Sequence, residues 1–106
     1  MEIRIEERPP YRVLRLLGDV DLHSSPQART AILDCLKEKM PLRIELSAVT
    51  YMDSSGVASL VEGYQTARKQ GLDFALVAVA APALNVLKLA RLDKVFPIHA
   101  SLDELA

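Results

Sequence analysis

The sequence lacks several features on which specialised sites depend. It has a single cysteine, Cys35, so it can form neither an internal disulfide nor a cluster of thiolate metal ligands, as is usual in a reducing compartment. Only four glycines are present, and none begins a glycine-rich run that ends in Lys-Ser or Lys-Thr. A phosphate-binding loop for nucleotide hydrolysis is therefore excluded.

An excess of charge of one sign is also missing. The 13 basic and 14 acidic residues are interspersed and the net charge is −1, so no basic stripe is available for a nucleic acid. The longest apolar run, Phe74 to Leu84, contains Pro82 and is shorter than the roughly 18 residues of a membrane span. The charged start, MEIRIEERPP, is unlike a secretory signal. We expect a cytoplasmic protein that neither binds nucleic acid nor inserts into a membrane.

The first 40 residues change their hydrophobic period once. The segments EIRIE and YRVLRLLG read as two strands of a hairpin joined through RPP. A helix of about four turns follows, with Ser24 or Ser25 as its cap and Pro26 in its first turn. Its apolar residues recur at helical spacing: Ala28, Ala31, Ile32, Cys35, Leu36 and Met40. We expect Cys35, on this stripe, to be a small buried hydrophobic residue.

The rest of the chain alternates strands and helices. LRIELSAV predicts a strand, and a helix should begin near Ser54 and end at Gly71. DFALVAVA predicts a buried central strand, Pro82 opens a helix through about Leu92, and KVFPIH predicts a last short strand. With no linker or repeat in the sequence, we predict one α/β domain over residues 1–106.

The stretch YMDSSGVASL carries the chemistry that needs explaining. It places DSSG at the carboxyl edge of a sheet and at a helix N-terminus, where backbone N–H groups and the helix dipole favour anions. One interpretation is structural: Ser54 or Ser55 caps the helix, and Gly56 fits a tight packing position. The other interpretation is that one of these hydroxyls is a functional group.

Enzymatic and metal-binding interpretations have little support in the sequence. A serine nucleophile needs a base, but neither His23 nor His99 stands in a supporting motif, and the glycine that a nucleophile elbow requires two residues before the serine is missing. The carboxylates that could bind a metal lack any standard ligand spacing. These candidate ligands, together with His23, are Asp19, Asp21 and Asp53.

The motif MDSSG at residues 52–56, the motif GDVD at residues 18–21 and the order of the predicted elements resemble the STAS domain family over nearly the whole chain. The resemblance is greatest to stand-alone bacterial anti-sigma factor antagonists. It implies a mixed sheet of four to five strands with three to four helices, and phosphorylation of Ser54 by a partner kinase. The partner-binding surface that it implies comprises Gly18, Asp19, Asp21, Ser24, Asp53, Ser54, Ser55 and Gly56.

The resemblance also implies a mode of action. An unphosphorylated antagonist binds an anti-sigma factor that is a serine kinase, phosphorylation from ATP ends the interaction, and a PP2C-type phosphatase resets it. The domain itself would be no enzyme and would need no cofactor or metal. The alternative is a cytoplasmic accessory subunit of an ABC lipid transporter, docked on the ATPase subunit; the intact MDSSG favours the antagonist.

Two features depart from the family pattern. Arg91 stands where family members often have a small residue or glycine in the third helix, and the chain ends at SLDELA, which allows a terminal helix of only a turn or two.

Overall fold

The computed structural model describes residues 1–102. Within this range the chain forms six strands and three helices. In order they are β1 (Glu2–Arg8), β2 (Tyr11–Val20), α1 (Ser25–Lys37), β3 (Leu42–Glu45), β4 (Val49–Met52), α2 (Ser54–Lys69), β5 (Phe74–Val77), α3 (Ala81–Leu89) and β6 (Ile98–His99). The short helix expected at the end of the chain falls mainly on residues 103–106, outside the described range.

The strands form one mixed sheet in the order β1-β2-β3-β5-β6, and β4 also pairs with β2. β1 and β2 form the predicted antiparallel hairpin, whereas the other neighbouring strands are parallel. β5 lies between β3 and β6, and all four of its residues are buried, as expected for DFALVAVA. The predicted α/β class is confirmed.

The sequence predicts one strand over LRIELSAV, but the segment is divided between β3 and β4. The first half of β2 pairs with β3, and its second half pairs with β4 after Gly18. Gly18 has a φ of 91°, the register shifts between Gly18 and Asp19, and the Gly18 N–H donates to the Ala48 carbonyl at 2.9 Å. This bulge lets β2 change partner, so the sheet has six strands rather than four to five.

The core lies on the face of the sheet that packs with the helices. Side chains alternate across a strand, so every second residue of β2, β3 and β5 points into one cluster shared with the helices. Its members include Leu14, Leu16, Ile32, Leu36, Ile44, Leu60, Leu76 and Leu87. Cys35 is buried in this cluster, which confirms its predicted place as a small hydrophobic residue.

Charged side chains cover part of the opposite face of the sheet. Arg43 is only 3% exposed; its guanidinium lies 4.0 Å from the centre of the Tyr11 ring and donates to Asp73 at 2.9 Å. The buried Glu45 pairs with Arg15 and accepts from the Ser47 N–H at 2.6 Å. The apolar stems of these long charged side chains thus cover the strands, and their charged groups pair with residues of opposite charge.

Two helices end in the same Schellman motif. At the end of α2, Gly71 has a φ of 69°, and the Leu72 N–H donates to the Ala67 carbonyl at 2.9 Å. At the end of α3, Arg91 takes the glycine position with a φ of 59°, and the Leu92 N–H donates to the Leu87 carbonyl at 2.8 Å. α3 therefore ends at Leu89, three residues before the predicted end.

Candidate functional site

The two motifs singled out in the sequence lie side by side at one edge of the sheet. β2 and β4 are parallel, so their carboxyl ends meet, with Asp19 opposite Tyr51 and Val20 opposite Met52. The Asp53 N–H then donates to the Val20 carbonyl at 3.3 Å. The loop after GDVD and the helix start at DSSG therefore form one surface, which we call the switch edge (residues 18–24 and 50–56).

A hydrogen-bonded turn shapes the first half of the switch edge. The Asp21 carboxylate accepts from the backbone N–H groups of His23 and Ser24, both at 3.0 Å. The Ser24 hydroxyl accepts from the Asp21 N–H at 2.9 Å and donates to the Asp19 carbonyl at 2.8 Å. The hydrogen bonds that the carboxylate accepts, the one from the Ser24 N–H first among them, lower the pKa of Asp21.

Ser24 occupies the cap position of α1, but its hydroxyl makes no capping hydrogen bond. The sequence analysis expected Ser24 or Ser25 to cap the helix. Instead the Ser24 side chain faces back to the strand end, and Pro26 lies in the first turn as predicted. The serine therefore fixes the loop rather than the helix.

Asp53, and neither serine, caps α2. Its backbone is extended, with φ −116° and ψ −171°, and its carboxylate accepts from the Ser55 N–H at 2.9 Å and from the Ser55 hydroxyl. The hydroxyl of Ser55, followed by its N–H, lowers the pKa of Asp53. The expectation that Ser54 or Ser55 accepts the capping bond is wrong, because both serines already lie inside the helix.

The two serines of the motif differ in their surroundings. Ser54 is exposed, and its hydroxyl makes no hydrogen bond to any residue in the described part of the chain. Ser55 is half-buried and donates to Asp53, while its carbonyl accepts from the Ser59 hydroxyl at 3.2 Å. Of these two serines, only Ser54 therefore has a hydroxyl that makes no hydrogen bond within the described residues.

Gly56 lets α2 start directly against the strand ends. A Cβ atom at this position would lie 2.9 Å from Met52 Cγ, 2.9 Å from Val20 Cγ1 and 3.1 Å from the Val20 carbonyl oxygen. Real Cβ atoms almost never come so close to a neighbour. Gly56 thus holds the tight packing position that the sequence predicted, and it keeps Ser54 next to β2.

Sequence reasoning missed three residues of the switch edge. The Thr50 hydroxyl donates to the Asp19 carboxylate at 2.6 Å, and two large apolar side chains are exposed: Leu22 by 71% and Tyr51 by 49%. The pairing of β4 with β2, which the sequence did not predict, brings Thr50 and Tyr51 beside Asp19. The signal available was an apolar residue inside a polar loop, LHSS, and an aromatic residue before MDSSG.

The switch edge carries negative charge. Hydrogen bonds keep the pKa of both Asp21 and Asp53 below the usual range, and the bond from the Asp53 N–H to the Val20 carbonyl brings the two residues to the same strand end. Asp19 lies on the same strand end. Among residues 1–102 no three His, Cys, Asp or Glu side chains converge to hold a metal ion. The switch edge thus combines an exposed Ser54 hydroxyl at a helix N-terminus with three carboxylates.

Comparisons with known proteins agree with this geometry. A family model described as STAS domain matches residues 2–105. The anti-sigma F factor antagonist of Paenibacillus polymyxa is 27% identical over 101 residues, which cover 93% of this chain and 86% of that protein. A crystal structure of an anti-sigma factor antagonist from Mycobacterium paratuberculosis superposes with a TM-score of 0.87 at 30% identity, covering 97% of this chain and 88% of that one.

The Bacillus protein SpoIIAA shares the fold in two chemical states. Its unphosphorylated form superposes with a TM-score of 0.83 and its phosphorylated form with 0.76, each at 20% identity. Both matches cover 98% of this chain, and they cover 92% and 96% of the respective SpoIIAA chains. As for the membrane, none of the helices in the described range is both long and apolar enough to cross it.

Proposed function

Because the chain belongs to the STAS domain family and has anti-sigma factor antagonists among its relatives, we propose that it is such an antagonist, controlled by phosphorylation of Ser54. In the unphosphorylated state the switch edge binds an anti-sigma factor that is also a serine kinase. Transfer of a phosphate from ATP to Ser54 ends this interaction, and a PP2C-type phosphatase restores it. Residues 1–106 act as one binding domain, and the catalysis belongs to the partners.

The difference between the two serines is the observation that carries this proposal. A kinase has to bring the γ-phosphate of ATP in line with an accessible hydroxyl. Ser54 is exposed and free of hydrogen bonds to the described residues, whereas the Ser55 hydroxyl is engaged by Asp53. Ser54 is therefore the acceptor that a partner can reach without breaking the cap of α2.

The fold should accept the phosphate, because Ser54 is the first residue of α2. Phosphoserine adds about −1.5 to −2 charges at neutral pH, and the N–H groups and dipole at a helix N-terminus favour negative charge. Phosphorylation therefore changes the surface of the molecule and leaves its core intact.

The phosphate on Ser54 should, by contrast, weaken binding of the partner. The phosphate adds its charge to a surface that already has the carboxylates of Asp19, Asp21 and Asp53. Placing like charges together in an interface costs several kcal/mol, and about 1.4 kcal/mol changes an affinity tenfold. Repulsion of this size is sufficient to release a partner. SpoIIAA, which has the same fold, exists in both states, and this supports the proposal.

The binding half of the proposal is tested by calorimetry with each purified anti-sigma factor of the source organism. Wild type and Ser54→Ala should bind the same anti-sigma factor equally well, and Ser54→Asp should bind at least ~10-fold more weakly. Gln65→Glu, which adds one charge to an exposed position of α2 far from the switch edge, is the matched control and should bind like the wild type. Equal affinity of Ser54→Asp and wild type would refute the switch. Selective binding to the ATPase subunit of a lipid transporter would favour the alternative function.

A further inference from the structure

We propose that Leu22 and Tyr51 are the apolar anchors of the partner interface, and that they enter an apolar recess on the partner that is rimmed by Lys and Arg side chains. Both residues are large, apolar for most of their surface, and exposed in the unbound protein. The inference rests on the proposed function, because it names the residues and the partner chemistry of the same surface.

The position of the two side chains on the switch edge is the first support. Leu22 follows Asp21 directly, and Tyr51 lies opposite Asp19 in the pairing of β4 with β2 and two residues before Asp53. The other large hydrophobic residues that are exposed in the described range lie on β1 or around the end of α3; they are Ile5, Leu89 and Val95. The switch edge therefore has two exposed anchors, one next to Asp21 in the chain and one opposite Asp19 in the sheet.

Both anchors are held in place before a partner arrives. Leu22 lies in the turn closed by the Asp21 carboxylate, and the Ser25 N–H donates to the Asp21 carbonyl at 2.8 Å. Tyr51 lies in β4, where pairing with β2 fixes its backbone, and a tyrosine side chain has few torsions to order. Binding through a preorganised backbone loses less conformational entropy, so more of the free energy gained by burying the two apolar side chains appears as affinity.

The charge around the anchors indicates which kind of surface binds them. Asp21 precedes Leu22 and Asp19 lies opposite Tyr51, and the lowered pKa values of Asp21 and Asp53 keep those two carboxylates ionised at neutral pH. An anionic lipid surface would be repelled by this edge, since lipid surfaces attract basic segments. A protein surface with cations around an apolar centre is complementary in both respects, as in interfaces with an apolar core and a polar rim.

Truncation of each anchor tests the inference. In calorimetry with the anti-sigma factor that binds the wild type, Leu22→Ala and Tyr51→Ala should each weaken binding at least ~10-fold, as expected for central interface residues. The matched control is Leu89→Ala, because Leu89 is 86% exposed and lies at the end of α3. It should bind within about twofold of the wild type. Thermal unfolding of all three variants should match the wild type, because the truncated side chains are exposed.

The outcomes separate this inference from the proposed function. Wild-type binding together with affinities of both anchor variants within about threefold of wild type would overturn the inference and leave the proposed function standing. A loss in Leu89→Ala as large as in Leu22→Ala would place the interface elsewhere and also overturn the inference. Failure of the wild type to bind any anti-sigma factor would overturn the proposed function, and the inference with it.

Discussion

Asp53 holds the first turn of α2 in a form that leaves Ser54 open to solvent. Its carboxylate accepts hydrogen bonds from both the N–H and the hydroxyl of Ser55, so the second serine of the motif serves the fold. The two hydroxyls, adjacent in sequence, are thereby separated into a structural group and a free one. An acid before two serines produces this separation, because its carboxylate at the cap position accepts from a first-turn N–H group and from the neighbouring hydroxyl.

At the residue scale we predict that Asp53 links stability to pH in the acid range. Its pKa is lowered in the folded state, so below its usual value of ~3.9 the unfolded chain binds the proton more readily. The contribution of Asp53 to stability should therefore be full above that pH and be lost as the pH falls through the lower folded pKa. Thermal unfolding from about pH 2 to 7 measures this dependence.

The matched variants are Asp53→Asn, which keeps a capping oxygen without the charge, and Asp53→Ala, which has none. Asp53→Asn should show a weaker fall of Tm in acid than the wild type. Asp53→Ala should lower Tm by ~4–8 °C at neutral pH, as expected for the loss of a cap in a domain of this size. An identical acid dependence in wild type and Asp53→Asn would show that this carboxylate is not responsible.

At the scale of elements, Arg91 at the end of α3 has a backbone conformation that is unfavourable for residues other than glycine. Arg91 has the positive φ that glycine adopts without penalty, and a non-glycine residue there costs ~1–2 kcal/mol. Arg91→Gly should stabilise the protein by ~0.5–1 kcal/mol, after the greater freedom of glycine in the unfolded chain is subtracted. Thermal unfolding should show a Tm higher by a few degrees.

The control for this prediction is Gln65→Gly, at an exposed position inside α2. There glycine removes helix propensity without relieving a positive φ, so stability should fall by ~1 kcal/mol. A lower Tm for both variants would mean that Arg91 makes stabilising contacts which outweigh its backbone conformation.

β5 is a fully buried strand that joins β3 to β6 in the sheet. Val77 is fully buried and pairs with Glu45 of β3 and His99 of β6. Val77→Asp would bury an unpaired charge, whose cost approaches the ~5–15 kcal/mol of total stability, so the protein should lose its cooperative unfolding transition. Circular dichroism with temperature measures this loss. Val95→Asp, at a half-exposed valine, should unfold like the wild type; a folded Val77→Asp would contradict the buried position of β5.

Most elements could be predicted because each has one apolar face at its own period. The hairpin, the three helices and β5 follow from that pattern, and α2 begins at Ser54 as expected. The division of LRIELSAV could not be predicted, since it depends on the bulge at Gly18, which lies on another strand. The burial of Arg43 could not be predicted either, because it depends on contacts with Tyr11 and Asp73, which are distant in sequence.

For the molecule as a whole, the topology gathers the polar residues of the motifs at one edge. β2 and β4 run parallel, so GDVD and DSSG, more than 30 residues apart in the chain, form one surface. The sequence predicted which residues belong to this surface through the resemblance to a family, and it did not show their hydrogen bonds. The assignment of the free hydroxyl to Ser54 and of the cap to Asp53 required coordinates, because both depend on where the first helical turn begins.

The central claim is that Ser54 is the group by which this molecule is switched. The most direct measurement is phosphate transfer from ATP by the anti-sigma factor that binds the wild type, with the modified residue located by tandem mass spectrometry. The account predicts one phosphate per wild-type chain, on Ser54, none on Ser54→Ala, and one on Ser55→Ala. Phosphate on Ser55 of the wild type, or on Ser54→Ala, would contradict the account and leave DSSG as a helix start alone.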